Sequence, residues 1–266
     1  MRAFETSQFE DANKYASYLK TPLGTLRSDL AWENLRASLP SHSSGRRALD
    51  VGGGTGTISL RLAKVGYSVT LLDPSEGMLE IARQDAAVSG VAGQITFLRE
   101  EACGLQEAFA AERFDVVVCH NVLEFVESPE KAVFEIKQLL RSDGVLSILV
   151  RNRAGEAFKA AVKSNGLESV NAVLSAETVL DSLYGQPMRL FEPQVVTDIL
   201  SKTGLALIAQ RGVRVFADYR NANDLLAEST YRQLLELELL LGARPELAAI
   251  ARYTQMIAQR KKGDAL

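Results

Sequence analysis

Between residue 46 and about residue 150, short apolar runs alternate with amphipathic stretches of helical length. "RRALDVG", "SVTLLDPS", "ITFLREEA", "FDVVVCHNVLEFV" and "VLSILVRN" read as strands, the fourth running on into a loop. "TGTISLRLAKVG", "EGMLEIARQDAAVSG" and "PEKAVFEIKQLLRSDG" read as helices, two stopped near Gly66 and Gly90 and one opened by Pro129. Apolar strands separated by helices demand a parallel sheet covered on both faces. Right-handed crossovers then bring the carboxyl ends of the strands to one edge, where ligands bind in such sheets.

The flanks read differently. Within residues 1–45, "LRSDLAWENLRASL" sets Leu26, Leu30, Trp32, Leu35 and Leu39 close to helical spacing, and "SHSSG" breaks the pattern. After residue 152 the alternation loosens. Residues 153–190 read as interrupted helix and are expected to cover the site. "EPQVVTDILSKTG" is a helix between Pro193 and Gly204, and "LALIAQRGVRVFADY" holds one or two strands. "NANDLLAESTYRQLLELELLLG" is a long amphipathic helix, either core packing or an interface for a homo-oligomer. "ELAAIARYTQMIAQRKK" fits a helix or a final strand equally well. The expected fold is α/β: a Rossmann-like, doubly wound, mostly parallel sheet with an N-terminal helical arm (1–45) and a helical insertion after the fifth strand (153–190). The core is then 46–152 with 191–266.

Several function classes fall away on simple counts. No apolar run approaches the ~20 residues that span a membrane. The opening "MRAFETSQFEDANKY" is polar and acidic and does not read as a secretory signal. The two cysteines, Cys103 and Cys119, are too few for a disulfide framework and lack metal-ligand spacing, so no metal site is expected and a reduced, cytoplasmic protein is. A net charge of −3 argues against broad electrostatic binding of nucleic acid.

The first strand ends in "ALDVGGGTG", four glycines in five positions after an acidic residue. Glycines let a backbone approach a ligand and adopt φ values that side chains forbid. No Gly-Lys-Ser/Thr follows, so this is not a P-loop. A dinucleotide or S-adenosylmethionine fits the turn. Asp73, ending the second strand, suits the ribose hydroxyls of either. Asp50 separates them: a carboxylate there repels a pyrophosphate but suits the ammonium and sulfonium of S-adenosylmethionine.

"DVGGGTG", Asp73 and "FDVVVCHNVLEFVESPEKAVFEIKQLLRSDGVLSILV" together resemble the class I S-adenosylmethionine-dependent methyltransferases, with "LLRSDG" in place of their leucine-basic-proline-glycine-glycine turn. "GTLRSDLAWENL", "HNVLEFVESP", "GVRVFADY" and "LLELEL" resemble more particularly the bacterial tRNA 5-carboxymethoxyuridine methyltransferase family, over nearly the whole chain. That resemblance implies methyl transfer from S-adenosyl-L-methionine to a carboxylate on a wobble uridine, with the tRNA anticodon loop as partner. It implies that Arg27 reaches the methionine carboxylate. Gly52 and Gly53 would pass beneath the cofactor with Gly54 beside them, near Asp50. Asp73 would hold the ribose, Ala102 and Cys103 would lie at the adenine, and His120 would border the transfer site, with Asn121 beside it.

A carboxylate acceptor is already ionised at neutral pH and needs cations or donors rather than a base. Arg214 and Tyr219, in "GVRVFADYR", are the first candidates for holding it, ahead of Arg151 and Arg153. The insertion departs from an RNA-binding pattern. "NAVLSAETVLDSLYGQPMRLF" is apolar and mildly acidic, Lys159, Lys163 and Arg189 are scattered, and the basic cluster "RKK" at 260–262 reads as a solvated tail. A small-molecule O-, N- or C-methyltransferase acting on an apolar acceptor is therefore the alternative. A catalytically silent cofactor-binding subunit and a nicotinamide-dependent oxidoreductase are the readings from other classes.

Overall fold

The structure, a computed structural model, describes residues 12–40, 45–109, 112–163, 167–181, 183–220 and 228–260. The first eleven residues of the arm, "SHSS" at 41–44, the start of the long helix at 222–227 and Lys261–Lys262 lie outside the described residues.

The arm forms α1 (Ala12–Leu19) and α2 (Pro22–Arg36). Thr21 caps α2 by accepting the Gly24 N–H at 3.1 Å, and Pro22 sits in its first turn, where a missing N–H costs nothing. A Cβ at Gly24 would stand 2.1 Å from the Tyr18 carbonyl oxygen, so only glycine lets α1 fold back this closely on α2.

The alternating stretch follows as β1 (Arg47–Val51), α3 (Thr57–Lys64), β2 (Ser68–Leu72), α4 (Glu76–Val88), β3 (Ile95–Leu98), α5 (Leu105–Ala108), β4 (Phe114–His120), α6 (Pro129–Leu139) and β5 (Leu140–Arg151). Ser75 caps α4 through the Met78 N–H, and Ser128 caps α6 through the Lys131 N–H. The sixth helix ends at Leu139, earlier than its sequence suggests. "LRSDG" belongs to a bulged start of β5, where Asp143 takes φ 65° and the register with β4 shifts between Phe114 and Val116.

Beyond β5 come α7 (Arg153–Lys163), α8 (Glu168–Ser175) and a hairpin of β6 (Thr178–Leu180) and β7 (Pro187–Arg189). Then follow α9 (Pro193–Lys202), β8 (Leu205–Val213), α10 (Glu228–Gly242), α11 (Pro245–Ala248) and β9 (Tyr253–Arg260). The main sheet has seven strands in the order β3-β2-β1-β4-β5-β9-β8. The first five are mutually parallel; β9 runs antiparallel between β5 and β8.

The ambiguous C-terminal segment is thus a short helix followed by a strand. Covered on both faces, β9 buries all of its residues but Gln259 and carries no polar alternation to announce it. Arg260 is not in a solvated tail: it is buried and its Nη1 donates to the Leu140 carbonyl at 2.7 Å.

One face of the sheet packs Leu49, Val117 and Ile148 against Val133, Ile136 and Val196 of α6 and α9. The other packs Leu71, Val116 and Ile257 against Trp32, Leu62 and Leu79 of α2, α3 and α4. A third cluster joins Leu26 and Leu30 of the arm to Leu234 of α10 and Tyr253 of β9. No described helix is long and apolar enough to cross a membrane.

Within "LLELELLLG", Glu238 is fully buried. Its carboxylate accepts the backbone N–H groups of Val215 at 2.6 Å, Phe216 at 3.0 Å and Ala217 at 2.7 Å, closing the turn after β8. Removing it leaves three backbone donors unpaired, two of them buried at a cost of about 1–3 kcal/mol each. Glu238→Ala is expected to lower the unfolding free energy by about 3 kcal/mol in a urea titration. Glu238→Gln, which keeps the side-chain volume and one acceptor oxygen, should cost less than half of that but more than nothing; a Gln variant as stable as the parent would mean that the alanine loss comes from packing.

Candidate functional site

The glycine turn is held at the carboxyl edge by the strand next to it. The Asp73 carboxylate accepts the Gly54 N–H at 2.8 Å and the Ser75 N–H at 2.9 Å, and Gly53 N–H donates to the Leu72 carbonyl at 3.0 Å. Gly52 has φ 62°, and a Cβ there would stand 2.4 Å from Val122 Cγ2. The turn therefore presents bare backbone to the edge, with no room for a side chain. Asp50 lies behind it, its Oδ2 accepting the Ser59 hydroxyl at 2.7 Å. Burial pushes the Asp50 carboxyl up to about 7, with Asp73 adding to the rise. Burial likewise pushes Asp73 up to about 6, against the two backbone donors that favour its charge.

A cavity of about 400 Å³ opens along this edge. Arg27, Gly52, Asp73, Ala102, Cys103 and His120 all border it, six of the residues that the sequence singles out. Asp50, Gly52, Gly53 and His120 border a smaller one of about 40 Å³ behind the turn. Gly54 contributes its N–H to Asp73.

A line of polar groups crosses the cavity wall. Buried Arg27 donates to the Tyr15 hydroxyl at 2.8 Å and to Asn121 Oδ1 at 3.2 Å. Asn121, in a left-handed conformation at φ 55°, donates to Glu124 Oε1 at 2.9 Å, and the same oxygen accepts the Arg151 N–H at 2.8 Å. The arm, the loop after β4 and the end of β5 are thereby joined. From the insertion, Tyr184 stacks on Tyr15 at 6.0 Å and meets Phe125 edge-on at 6.4 Å. Arg151 stands at the same wall, bonded to Glu156 at 2.9 Å and 3.6 Å from Asp181.

Arg214 and Tyr219 are not brought to this cavity. Arg214 is buried, its guanidinium committed to both carboxylate oxygens of Asp218 and, at 3.0 Å, to the Tyr18 hydroxyl. Tyr219 packs edge-on against Phe158 of α7 at 5.4 Å and does not line the cavity. Arg153 ties the insertion together, donating to the carbonyls of Val173 at 3.0 Å and Ala176 at 2.6 Å. Arg151 alone of the four acceptor-side candidates lines the cavity. Tyr15, Tyr184 and Glu124 are site residues that sequence reasoning missed. Glu124 carries a signal, a carboxylate within an otherwise apolar strand-end loop. The two tyrosines carry none, being 169 positions apart.

Known proteins match this geometry. A model of the family described as "Methyltransferase domain" matches residues 49–148, from β1 through most of β5. The chain is 28% identical to the tRNA 5-carboxymethoxyuridine methyltransferase of Escherichia coli K12 over 90% of each chain. It is 32% identical to the ubiquinone biosynthesis O-methyltransferase of Pasteurella multocida, over 59% of this chain and 69% of that one. Among solved structures, an S-adenosylmethionine-dependent methyltransferase from Mesorhizobium loti superposes with a TM-score of 0.56 at 20% identity, over 87% of this chain and 98% of that one. With that domain spanning the glycine turn and that fold around it, the chain belongs to the S-adenosylmethionine-dependent methyltransferases.

Proposed function

We propose that the chain methylates a carboxylate, with 5-carboxymethoxyuridine of tRNA as the acceptor. The observation that carries this reading is the pair of guanidinium groups, Arg27 and Arg151, on the wall of one aromatic-lined cavity. Arg27 sits on the side of the glycine turn and would take the methionine carboxylate. Arg151 lines the same cavity, its guanidinium shared between Glu156 and Asp181, and would take the acceptor carboxylate. Tyr15, Tyr184 and Phe125 supply faces on which a nucleobase can stack. The similarity to the tRNA enzyme extends through the arm and the C-terminal half, both of which build this cavity.

The cofactor fits the residues present. The Gly52 cradle has no space for a Cβ, Asp73 borders the cavity where a ribose would lie, and Ala102 and Cys103, which line the same cavity, would lie at the adenine. Bound S-adenosylmethionine supplies a methyl group already activated on a sulfonium. The protein's share is then to align the acceptor oxygen with that methyl and to exclude water. As the new C–O bond forms and the C–S bond breaks, a cation and an anion both vanish, so donors on the acceptor must hold it without neutralising it. An Arg151 shared with Glu156 and Asp181 meets that requirement.

A second reading rests on the insertion. Its cavity wall includes Leu183 and Met188, and Leu167, Leu174 and Leu180 are exposed beyond it, which favours a small apolar acceptor. Labelled S-adenosylmethionine offered with bulk bacterial tRNA or with a small-metabolite extract separates the two. Label in the tRNA, lost on alkaline ester hydrolysis, is the expected result; label confined to the metabolite pool overturns the tRNA reading. Arg151→Met should lower kcat/KM for the acceptor about thirtyfold, roughly 2 kcal/mol, while leaving the affinity for S-adenosylhomocysteine unchanged.

The raised Asp50 and Asp73 carboxyls give a pH dependence. A cationic ligand favours their ionised forms, so binding releases protons and tightens as pH rises through the two values. Calorimetry should find S-adenosylmethionine binding roughly tenfold tighter at about pH 7.5 than at about pH 5.5. Asp50→Asn should flatten the upper part of that rise; an unaltered profile in that variant would remove Asp50 from the effect.

A further inference from the structure

His120, at the end of β4, borders both cavities, and one of its ring nitrogens is engaged from behind. Nε2 lies 2.8 Å from the hydroxyl oxygen of Ser147, a fully buried residue of β5. That oxygen also meets Gln255 Nε2 of β9 at 3.0 Å. The orientation of the Gln255 amide follows from its other partners. Its Nε2 donates to the Ala31 carbonyl at 2.9 Å, a group that can only accept, and its Oε1 receives the Asn34 Nδ2–H at 3.0 Å. Gln255 therefore reaches Ser147 as a donor, and the hydroxyl oxygen accepts.

The Ser147 hydrogen must then find an acceptor, because a hydroxyl in a dry interior left without one costs free energy. Among the described residues, His120 Nε2 is the side-chain acceptor within reach. The hydroxyl donates to Nε2, and the single proton of the neutral ring rests on Nδ1. The ring stays neutral because burial, with the Arg27 guanidinium nearby, pushes its pKa down to about 3. Nδ1 has no partner among the described residues and the half-buried ring borders the cavity, so its N–H is open to it.

We infer that Ser147, oriented by Gln255, is a positioning residue that fixes His120 as the Nδ1–H tautomer and so gives the transfer site a permanent donor for an acceptor oxygen. On the carboxylate reading proposed above, on which this last step rests, the N–H holds one oxygen while the other attacks the methyl. A neutral amine has one lone pair, which this N–H would tie up when it is needed to attack the methyl, whereas an oxygen acceptor has lone pairs to spare, so the ring favours oxygen. His120 is not a base here: its free lone pair is occupied by Ser147, and its remaining nitrogen already carries a proton.

The chain has two histidines, His42 and His120, so ¹⁵N-histidine labelling of the full-length protein with His42→Gln leaves a single ring to read. With S-adenosylhomocysteine bound, the ring nitrogen shifts and their couplings to the ring protons identify the tautomer. A single Nδ1–H form is expected, retained in Ser147→Thr and lost in Ser147→Ala. An Nε2–H ring in the parent, or an unchanged ring in Ser147→Ala, overturns the inference. With bulk bacterial tRNA as acceptor, Ser147→Ala should lower kcat about tenfold and leave the affinity for S-adenosylhomocysteine within about twofold, and Ser147→Thr should recover the rate. If the parent transfers no methyl to tRNA, the carboxylate reading fails while the tautomer measurement still decides the role of Ser147.

Discussion

The site depends on one carboxylate that accepts two backbone hydrogens. Asp73, at the end of β2, binds the N–H of Gly54 in the turn after β1 and the N–H of Ser75 at the head of α4. Two crossover connections are thus pinned to each other at the edge of the sheet. Without that bond the four-glycine turn has no side chains of its own to hold it, and backbone entropy would favour many other paths. The carboxylate is buried, and burial raises its pKa against the two backbone donors that favour its charge.

The second constraint is the cost of burying guanidinium groups. Arg27, Arg151 and Arg214 all lie around the ring of Tyr253, at 5.7, 4.6 and 5.7 Å. Isolated, such charges would be expensive in this interior. Asp218 takes up Arg214, Glu156 takes up Arg151, and the Tyr15 hydroxyl and Asn121 take up Arg27. The difference between these partners sorts the three. The fork of Arg214 closes on a single carboxylate and serves the fold. Arg27 meets neutral partners and Arg151 shares its carboxylates, so both can still attract an anion in the cavity.

The parts legible from sequence are those governed by period and by local chemistry. The β1–β5 alternation, the helix starts at Pro129 and Pro193 and the glycine turn each involve residues within a few positions of one another. The parts that were not legible are set by contacts across long stretches of chain. β9 reads as helix or strand because both of its faces are covered, which erases the alternation that marks a half-buried strand. Arg214 looks like a free cation in sequence, yet Asp218, four residues on, claims it. The pairing of Tyr15 with Tyr184 has no trace at all in local pattern. Glu238 passes in sequence as one polar position of an amphipathic helix, and only the three backbone donors of the turn it closes give it a role.

The position of β9 shows why part of the surroundings of the cavity escapes a motif-based reading. Inserted antiparallel between β5 and β8, the strand places Tyr253 among the guanidinium groups and Gln255 behind Ser147. The glycine turn and Asp73 sit at the ends of β1 and β2, within the five parallel strands whose alternation the sequence displays. The rest of the cavity wall draws on distant chain: the arm gives Tyr15 and Arg27, the stretch after β5 gives Asp181, Tyr184 and Met188, and β9 is tied to the arm through Asn34. Packing between distant parts of the chain, as well as the glycine motif, therefore decides which polar groups face the cavity.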